Sequence, residues 1–431
     1  MPDALAGRDI GTVFRFLHQR GWSWAAIAQA TDIGEQRVRE IANGKRRVEN
    51  YDVYVRVAVG LNIPRDYLGV GLRPAGGGQL TSAVAAPAVP AQLIAARTTL
   101  ELATPSKAVA DNHIHAAPPR GQMPLSETDI SVVRGMLTSL TAADHQFGGG
   151  FARRTADGFL IEVIRPRLAA PGPGSVLGPF KAIAAEFQIR VAWMHLDVAD
   201  ELGARTAARD AFRLAQESED LAVCSWTMAM CALLETWLGN TAAARAYGLA
   251  AVGLAADGPH LVQAFAHGKL ARALATARDN DGALAALAKA RSLFEAAHPG
   301  EDDLVPETIR DSYSAAYLLD EEAHCFRDLA KDSSALRLSE QCLDLRGVDR
   351  FPRNRAFATG NRALSLARLG EVEEACNGAV SLLNLATTLQ SSRVVQRLDA
   401  VLEELAPFRR TRYVTELIGR VHEAGVAWPV R

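Results

Sequence analysis

The chain has 431 residues, of which 48% are hydrophobic but only 6% aromatic, and a formal net charge of −2. That length suits two to three domains, and the aliphatic bias suits a large helical core rather than a sheet-rich one. The near-neutral balance excludes a global positive field, so any nucleic-acid footprint must be local. No uninterrupted apolar run reaches the ~18 residues a membrane span requires, so no membrane partner is expected. The opening MPDALAGRDIG has no basic stretch followed by an apolar one, so no secretory signal is read there. Five cysteines, none in a C-x-x-C pair, fit the reduced, buried thiols of a cytoplasmic protein.

Taken in chain order, the first predicted element is a helix from about Arg8 to Arg20. It carries Ile10, Val13, Phe14 and Leu17 on one face, the spacing of a core stripe. Ser23 is suited to cap a second helix, which turns Ile27 and Ala28 inward. Thr31-Asp32-Ile33-Gly34 is a tight turn, with Ile33 plugging the core. A third helix runs from Glu35 to about Asn43, with Val38 and Ile41 inward. Gly44 closes it, and Lys45, Arg46 and Arg47 follow. A fourth helix, and a short fifth beginning at Pro64, are predicted in YDVYVRVAVGLNIPRDYL.

This stretch resembles the Cro/repressor-like helix-turn-helix domains of the xenobiotic-response-element family. Ser23, Ile27-Ala28, Ile33, Val38, Ile41, Gly44 and the trailing basic residues carry the resemblance. In that family the third helix enters the major groove of DNA. The resemblance therefore implies that Glu35, Gln36, Arg37 and Arg39 read base edges, with Arg suited to guanine and Gln to adenine. It implies phosphate contacts from Ser23, Trp24, Lys45, Arg46 and Arg47, which set register without reading sequence. Trp24 departs from the family's usual glutamine. Its indole N–H can donate to a phosphate but cannot brace a second glutamine on the reading helix.

Residues 73–124 are rich in Pro, Gly, Ala and Ser and read as a flexible linker that cannot bury a core. Helical periodicity resumes near Leu125 and continues to the end, so the expected domains are 1–72, the linker and 125–431. The last part repeats a small-large-small or related triplet: Ala208/Phe212/Ala215, Ala243/Tyr247/Ala250, Ala283/Leu287/Ala290, Ala335/Ser339/Cys342 and Ala375/Ala379/Leu382. Successive triplets are 35, 40, 52 and 40 residues apart. Small residues at these places let helices approach closely, which is the packing logic of tetratricopeptide units with their period of about 34 residues. The uneven spacing implies irregular loops, HPGEDDLVPE (298–307) among them. The fold class expected is thus all-α.

In such an array the first helix of each pair lines the inner groove. Counting back from the triplets points Arg190, Trp193 and Asp197 inward, then Met228 and Glu235, then Phe265 and Arg272, then Tyr317, Asp320, His324 and Arg327. Aromatic and charged groups together suit a peptide or polar small-molecule effector. DHQFGGG (144–150) lacks the Lys-Ser/Thr and the preceding strand of a phosphate loop and is read as a flexible hinge. His113 and His115 lack nearby Cys or acidic partners, so no metal is expected. No catalytic constellation or cofactor fingerprint is found, so no enzymatic activity and no cofactor are expected.

A helix-turn-helix followed by a tetratricopeptide array is similar in layout to the peptide-pheromone receptors of Gram-positive bacteria. The chain more closely resembles a large actinobacterial family of regulators, through RDIGTVFRFL, DHQFGGG, FATGNRALSLARLGEVEEAC and RLDAVLEELAPFR. The resemblance implies transcriptional control, often of development or secondary metabolism. The expected protein is a cytoplasmic, nucleoid-associated homodimer that binds a double-stranded DNA operator. The alternative is a repeat-domain interaction protein whose helix-turn-helix is vestigial.

Overall fold

A computed structural model describes residues 10–19, 22–31, 33–45, 48, 53, 57, 123–346 and 351–425. Arg46, Arg47, most of the expected fourth and fifth helices, His113, His115 and nearly all of the 73–124 linker lie outside the described residues. The chain divides into two units, 1–87 and 88–431. Every regular element among the described residues is helical.

The first unit contains α1 (Ile10–Gln19), α2 (Trp24–Thr31) and α3 (Glu35–Ala42). Ile10, Val13, Phe14, Ile27, Ile33, Val38 and Ile41 are buried, and Val53 and Val57 are buried as well. Leu17 and Ala28 pack against the same core. Ser23 caps α2 by accepting the Ala26 N–H at 3.1 Å. The chain then turns sharply: the Ile33 N–H donates back to the Ala28 carbonyl at 3.1 Å, and α3 starts two residues later. Gly44, with φ +70, ends α3 in the left-handed region that glycine enters without a steric cost. Arg15 of α1 donates to the Ala42 carbonyl, tying the first helix to the end of the third.

The second unit opens with α4 (Glu127–Phe147), and α5 (Gly149–Phe159) continues through a wide turn to Leu168. Five helix pairs follow. They are α6 (Gly174–Asp197) with α7 (Glu201–Ser218), α8 (Leu221–Trp237) with α9 (Thr241–Ala255), and α10 (His260–Thr276) with α11 (Asn280–Ala296). After a 3₁₀ turn, Pro299–Leu304, and a short α12 (Glu307–Ser312) come α13 (Ala315–Asp328) with α14 (Asp332–Arg346) and α15 (Pro352–Leu369) with α16 (Val372–Thr388). Helices α17 (Ser392–Leu405) and α18 (Arg412–Glu423) end the described part. The irregular insertion expected at 298–307 is the 3₁₀ turn and the start of α12.

A recurrent turn makes these pairs. One residue per connection enters the left-handed region: Ala199, Gly239, Arg278, Ala330 and Gly370. In the first three pairs the next residue is Asp200, Asn240 or Asp279. Its side chain accepts the N–H of Gly203, Ala243 or Gly282 at 2.9, 3.3 or 3.0 Å, satisfying an end that the helix cannot satisfy itself. With connections this short, the second helix must fold back along the first.

All members of the repeated triplets are buried except Ala250, which is half-buried. The neighbouring helices approach closely: a Cβ on Gly378 of α16, beside Ala379 of the last triplet, would lie 2.9 Å from the Ala363 Cβ of α15. First helices stack on one another in the order α6, α8, α10, α13, α15, and α15 returns to α4. All five cysteines are buried and unpaired, and burial raises the Cys342 and Cys376 thiols to about 11, so they stay protonated. No helix among the described residues is long and apolar enough to cross a membrane.

Candidate functional site

Two places gather the residues that sequence reasoning singled out. The first is the outer face of α3. Gln36 and Arg39 are exposed, and Glu35 and Arg37 are half-buried. Spacing of four residues puts Glu35 beside Arg39 and Gln36 beside Glu40. The Arg39 Nη2 meets Glu35 Oε1 at 2.6 Å, and the Gln36 amide donates to Glu40 Oε1 at 3.1 Å. Three of the four expected base readers are therefore engaged along their own helix. The Arg37 Nε is buried with no acceptor among the described residues. Lys45 is exposed just past the helix end.

Trp24, at the start of α2, is half-buried. Its ring stacks on His18, centroids 3.9 Å apart and planes 24° apart, and it packs against the core of the unit. The His18 ring is held in turn by Nδ1 against the Trp22 carbonyl at 2.8 Å. An aromatic at this position finds an aromatic neighbour one helix away, and stacking recruits it to the α1–α2 packing.

The second place is a cavity of about 110 Å³ lined mainly by the first helices of the pairs. Seven of the eleven expected groove residues line it: Arg190 and Trp193 of α6, Phe265 and Arg272 of α10, and Tyr317, Asp320 and His324 of α13. The other four do not. Met228 is fully buried in the core between helices. Glu235 forms an ion pair with Arg205 at 2.9 Å. Arg327 pairs with Asp328 and donates to Asn361 and His324. Asp197 lies beneath the wall, bound to Arg393 Nε at 2.6 Å, to the Ser391 hydroxyl at 2.8 Å and to Arg353 at 3.3 Å.

Sequence reasoning missed much of the rest of the wall. Trp226 and Trp237 come from α8, Arg353 and Phe357 from α15, and Arg393 from α17. Arg353 and Arg393 belong to helices beyond the register used for the groove. The available signal was an arginine inside a helical run whose neighbours are apolar or small, as in FPRNRAF and SSRVV.

These arginines close the cavity through DHQFGGG. Asp144, fully buried, takes Arg353 on one oxygen and Arg190 on the other at 3.1 Å. The Gly149 N–H donates to Asp197 at 2.9 Å, and the Gly150 N–H donates to the Gln390 carbonyl at 3.0 Å. Gln390 returns a bond to the Phe147 carbonyl at 2.8 Å. A Cβ on Gly149 would stand 2.8 Å from Asp197 Oδ2 and 2.9 Å from the Met194 Cα. The hinge expected at DHQFGGG is thus a packed corner. Its glycines are demanded by close approach of α6 and residue 390, not by freedom of motion.

The electrostatics of the cavity are those of crowded cations. Burial alone would raise the Asp144 carboxyl, but Arg353, Arg190 and Arg393 hold it below its usual range. Burial, then Arg353 and Arg190, drives the His145 imidazole well below its ordinary value. Burial, then Arg272 and Arg327, does the same to His324. Both rings are neutral at pH 7. On the α10–α13 side, Lys269 is fully buried yet stays charged: Glu321 at 2.8 Å and the Tyr317 hydroxyl at 2.8 Å outweigh its desolvation. Its ammonium also sits 4.5 and 4.4 Å from the Phe265 and Tyr317 ring centroids.

Two further features lie elsewhere in the second unit. A cleft of about 850 Å³ runs past Glu186, Val223, Val262 and Pro306. Glu186 is buried at its edge, takes the Thr308 hydroxyl, and is raised to about 7 by burial. His260, at the start of α10, meets Glu301 at 2.7 Å, and His298 meets the same carboxylate at 3.2 Å. The three ligand atoms lie within 4.8 Å of one another, a donor set able to hold a divalent cation. No family model matches this chain, and no curated protein matches it.

Proposed function

We propose that the protein is a sequence-specific DNA-binding transcription regulator. The first unit is read as a helix-turn-helix domain, and the second as a tetratricopeptide-like array that dimerises, receives a peptide or small-molecule effector, or both. The observation that carries this reading is the α2–α3 corner. Two short helices meet at Ile33-Gly34 over a fully buried core, and α3 keeps Gln36 and Arg39 outward with Lys45 just beyond. A short helix braced from behind, with polar groups on its free face, is what major-groove insertion requires. In this reading the Glu35–Arg39 pair opens on DNA, releasing Arg39 to a guanine edge. Lys45 contacts phosphate together with Arg46 and Arg47. The protein then acts in the cytoplasm, on the nucleoid.

Titration of the full chain against its retained genomic fragments tests the reading. Arg39→Ala is expected to cost about 1–3 kcal/mol on the preferred site and to relax its sequence preference. Lys45→Ala is expected to weaken all sequences alike and to lower the salt slope by about one. Equal loss from both variants on every sequence would remove base reading from the proposal.

A second reading, a protein-binding array with a vestigial helix-turn-helix, is favoured by one observation. The Glu35–Arg39 and Gln36–Glu40 pairs leave the reading face satisfied within itself. Under that reading Arg39→Ala leaves the protein's regulatory phenotype unchanged.

A further inference from the structure

The irregular insertion between α11 and α12 brings two imidazoles and a carboxylate to one point. His298 follows the end of α11, Glu301 lies in the 3₁₀ turn, and His260 opens α10. Glu301 Oε1 stands 2.7 Å from His260 Nδ1 and 3.2 Å from His298 Nε2. Among the described residues, no other three histidine, cysteine or carboxylate side chains bring one ligand atom each within 4.8 Å of the others.

The backbone prepares this cluster. Glu301 Oε2 accepts the His260 N–H at 2.9 Å. That N–H is one of the four at the start of α10 that the helix itself cannot satisfy. The bond orients the carboxylate and leaves Oε1 for the two rings, which is how metal-ligating carboxylates are commonly supported. The Glu301 N–H donates to the His298 carbonyl at 3.1 Å, so the turn holds these two ligands in register. Gly300 lies between them, and a Cβ there would crowd the His298 Nδ1 at 3.1 Å. Each histidine also adjoins a proline, Pro259 or Pro299, whose fixed φ limits the freedom of the chain at the site.

The spacing suits a small ion. Bonds of about 2.0–2.1 Å to a tetrahedral zinc place neighbouring ligand atoms about 3.3 Å apart. The His298–Glu301 separation already matches, and the His260–Glu301 pair needs to open by only ~0.6 Å. The remaining adjustment falls to His298, the most exposed of the three at 60%. Three protein ligands leave the fourth position to water, and the exposed ring gives the ion a way in. Two imidazole nitrogens and one oxygen favour zinc and its neighbours over magnesium or calcium, which prefer oxygen alone.

We propose that His260, His298 and Glu301 bind a divalent transition-metal ion of the zinc class, which clips the insertion to the start of α10. The clip joins points 41 residues apart in the chain. Pro259 and Val262 on one side of it, and Leu304 and Val305 on the other, line the 850 Å³ cleft, so the ion fixes part of the cleft's rim. The site is independent of DNA reading by α3 and is tested without DNA.

The test is calorimetric titration of the chelator-stripped full chain with Zn²⁺ and, in parallel, with Mg²⁺. His298→Ala and Glu301→Gln each remove a ligand, and the double variant His113→Ala/His115→Ala is the control for binding at other histidines. The wild type and the control are expected to share one saturable Zn²⁺ site, weakened at least ~10-fold in either ligand variant, with no saturation by Mg²⁺. Limited proteolysis locates the ion in the wild type even if a variant folds poorly: Zn²⁺ should slow cleavage within 298–304, and EDTA should reverse the protection. Equal Zn²⁺ affinity in the wild type and His298→Ala, an equal response to Mg²⁺, no saturation by about 0.1 mM, or unprotected cleavage within 298–304 would each overturn the proposal.

Discussion

Asp144→Ala removes the carboxylate that Arg353 and Arg190 share, and leaves both guanidiniums in a cavity already crowded with cations. Asp144 is fully buried, so water cannot take its place without opening the corner between α4, α6 and α15. Breaking a buried pair by deleting one partner typically costs about 3–5 kcal/mol, because the stranded charge is not re-solvated. The second unit has roughly 300 residues, and unfolding entropy of about 2.1 cal/mol/K per residue gives about 0.6 kcal/mol/K for it. The expected fall in melting temperature is therefore about 5–8 °C by calorimetry. Arg412→Ala is the control, since its partner Glu416 and Arg412 itself are exposed on α18. That exposed, solvent-screened pair is expected to leave the melting temperature essentially unchanged. If Asp144→Ala melted within about 1 °C of the wild type, DHQFGGG would be a hinge after all and the packed-corner account would be wrong.

Other expectations follow from the same packing. Burial, helped by Glu307, raises the Glu186 carboxyl to about 7 against the Thr308 hydroxyl bond, so the folded state holds this proton more tightly than the unfolded chain. Its stabilising contribution is full below the unfolded value near 4.5 and is lost as pH rises through about 7. Urea denaturation between these limits should show stability falling with pH by up to about 1.4 kcal/mol per unit from this group, and Glu186→Gln should remove that share. An unchanged slope in the variant would assign the titration elsewhere. Gly149→Ala should destabilise, because its Cβ meets Asp197 and the α6 backbone at under 3 Å, whereas Gly158→Ala, with nothing within 4 Å, should stabilise α5 by about 0.5–1 kcal/mol. Opposite signs from the two glycines are the readout, and two equal effects would count against the close approach. Phe212→Ala, at a fully buried triplet position, should cost about 3–5 kcal/mol, and a loss below about 1 kcal/mol would mean that the triplets do not set the helix spacing.

The parts legible in the sequence are those with a local signature. Small residues at helical spacing identified the buried faces of the second helices, because a helix interface repeats every three or four residues. The core of the first unit, from Ile10 to Ile41, was readable for the same reason. Trp193 and Tyr317 could be placed on the cavity wall by counting back from the triplets. Met228 could not be, because α8 is apolar on nearly every face and the register alone does not say which face is core. Arg353 and Arg393 escaped because their partners, Asp144 and Asp197, lie about two hundred residues away in sequence. The glycines of DHQFGGG have the composition of a hinge, and only the neighbouring backbone of α6 and Gln390 explains why a side chain cannot stand there. The stacking of Trp24 was not legible for a related reason: its partner, His18, belongs to another helix.

The most direct test of the central claim is capture of fragmented genomic DNA by the purified full chain at near-physiological salt, with sequencing of what is retained. A few sharp sites sharing an inverted repeat, with half-sites about one helical turn apart, are the result expected of a dimeric reader. A smooth background that vanishes as salt rises would show only non-specific phosphate attraction. That outcome would contradict DNA reading by α3 and move the function to the array alone.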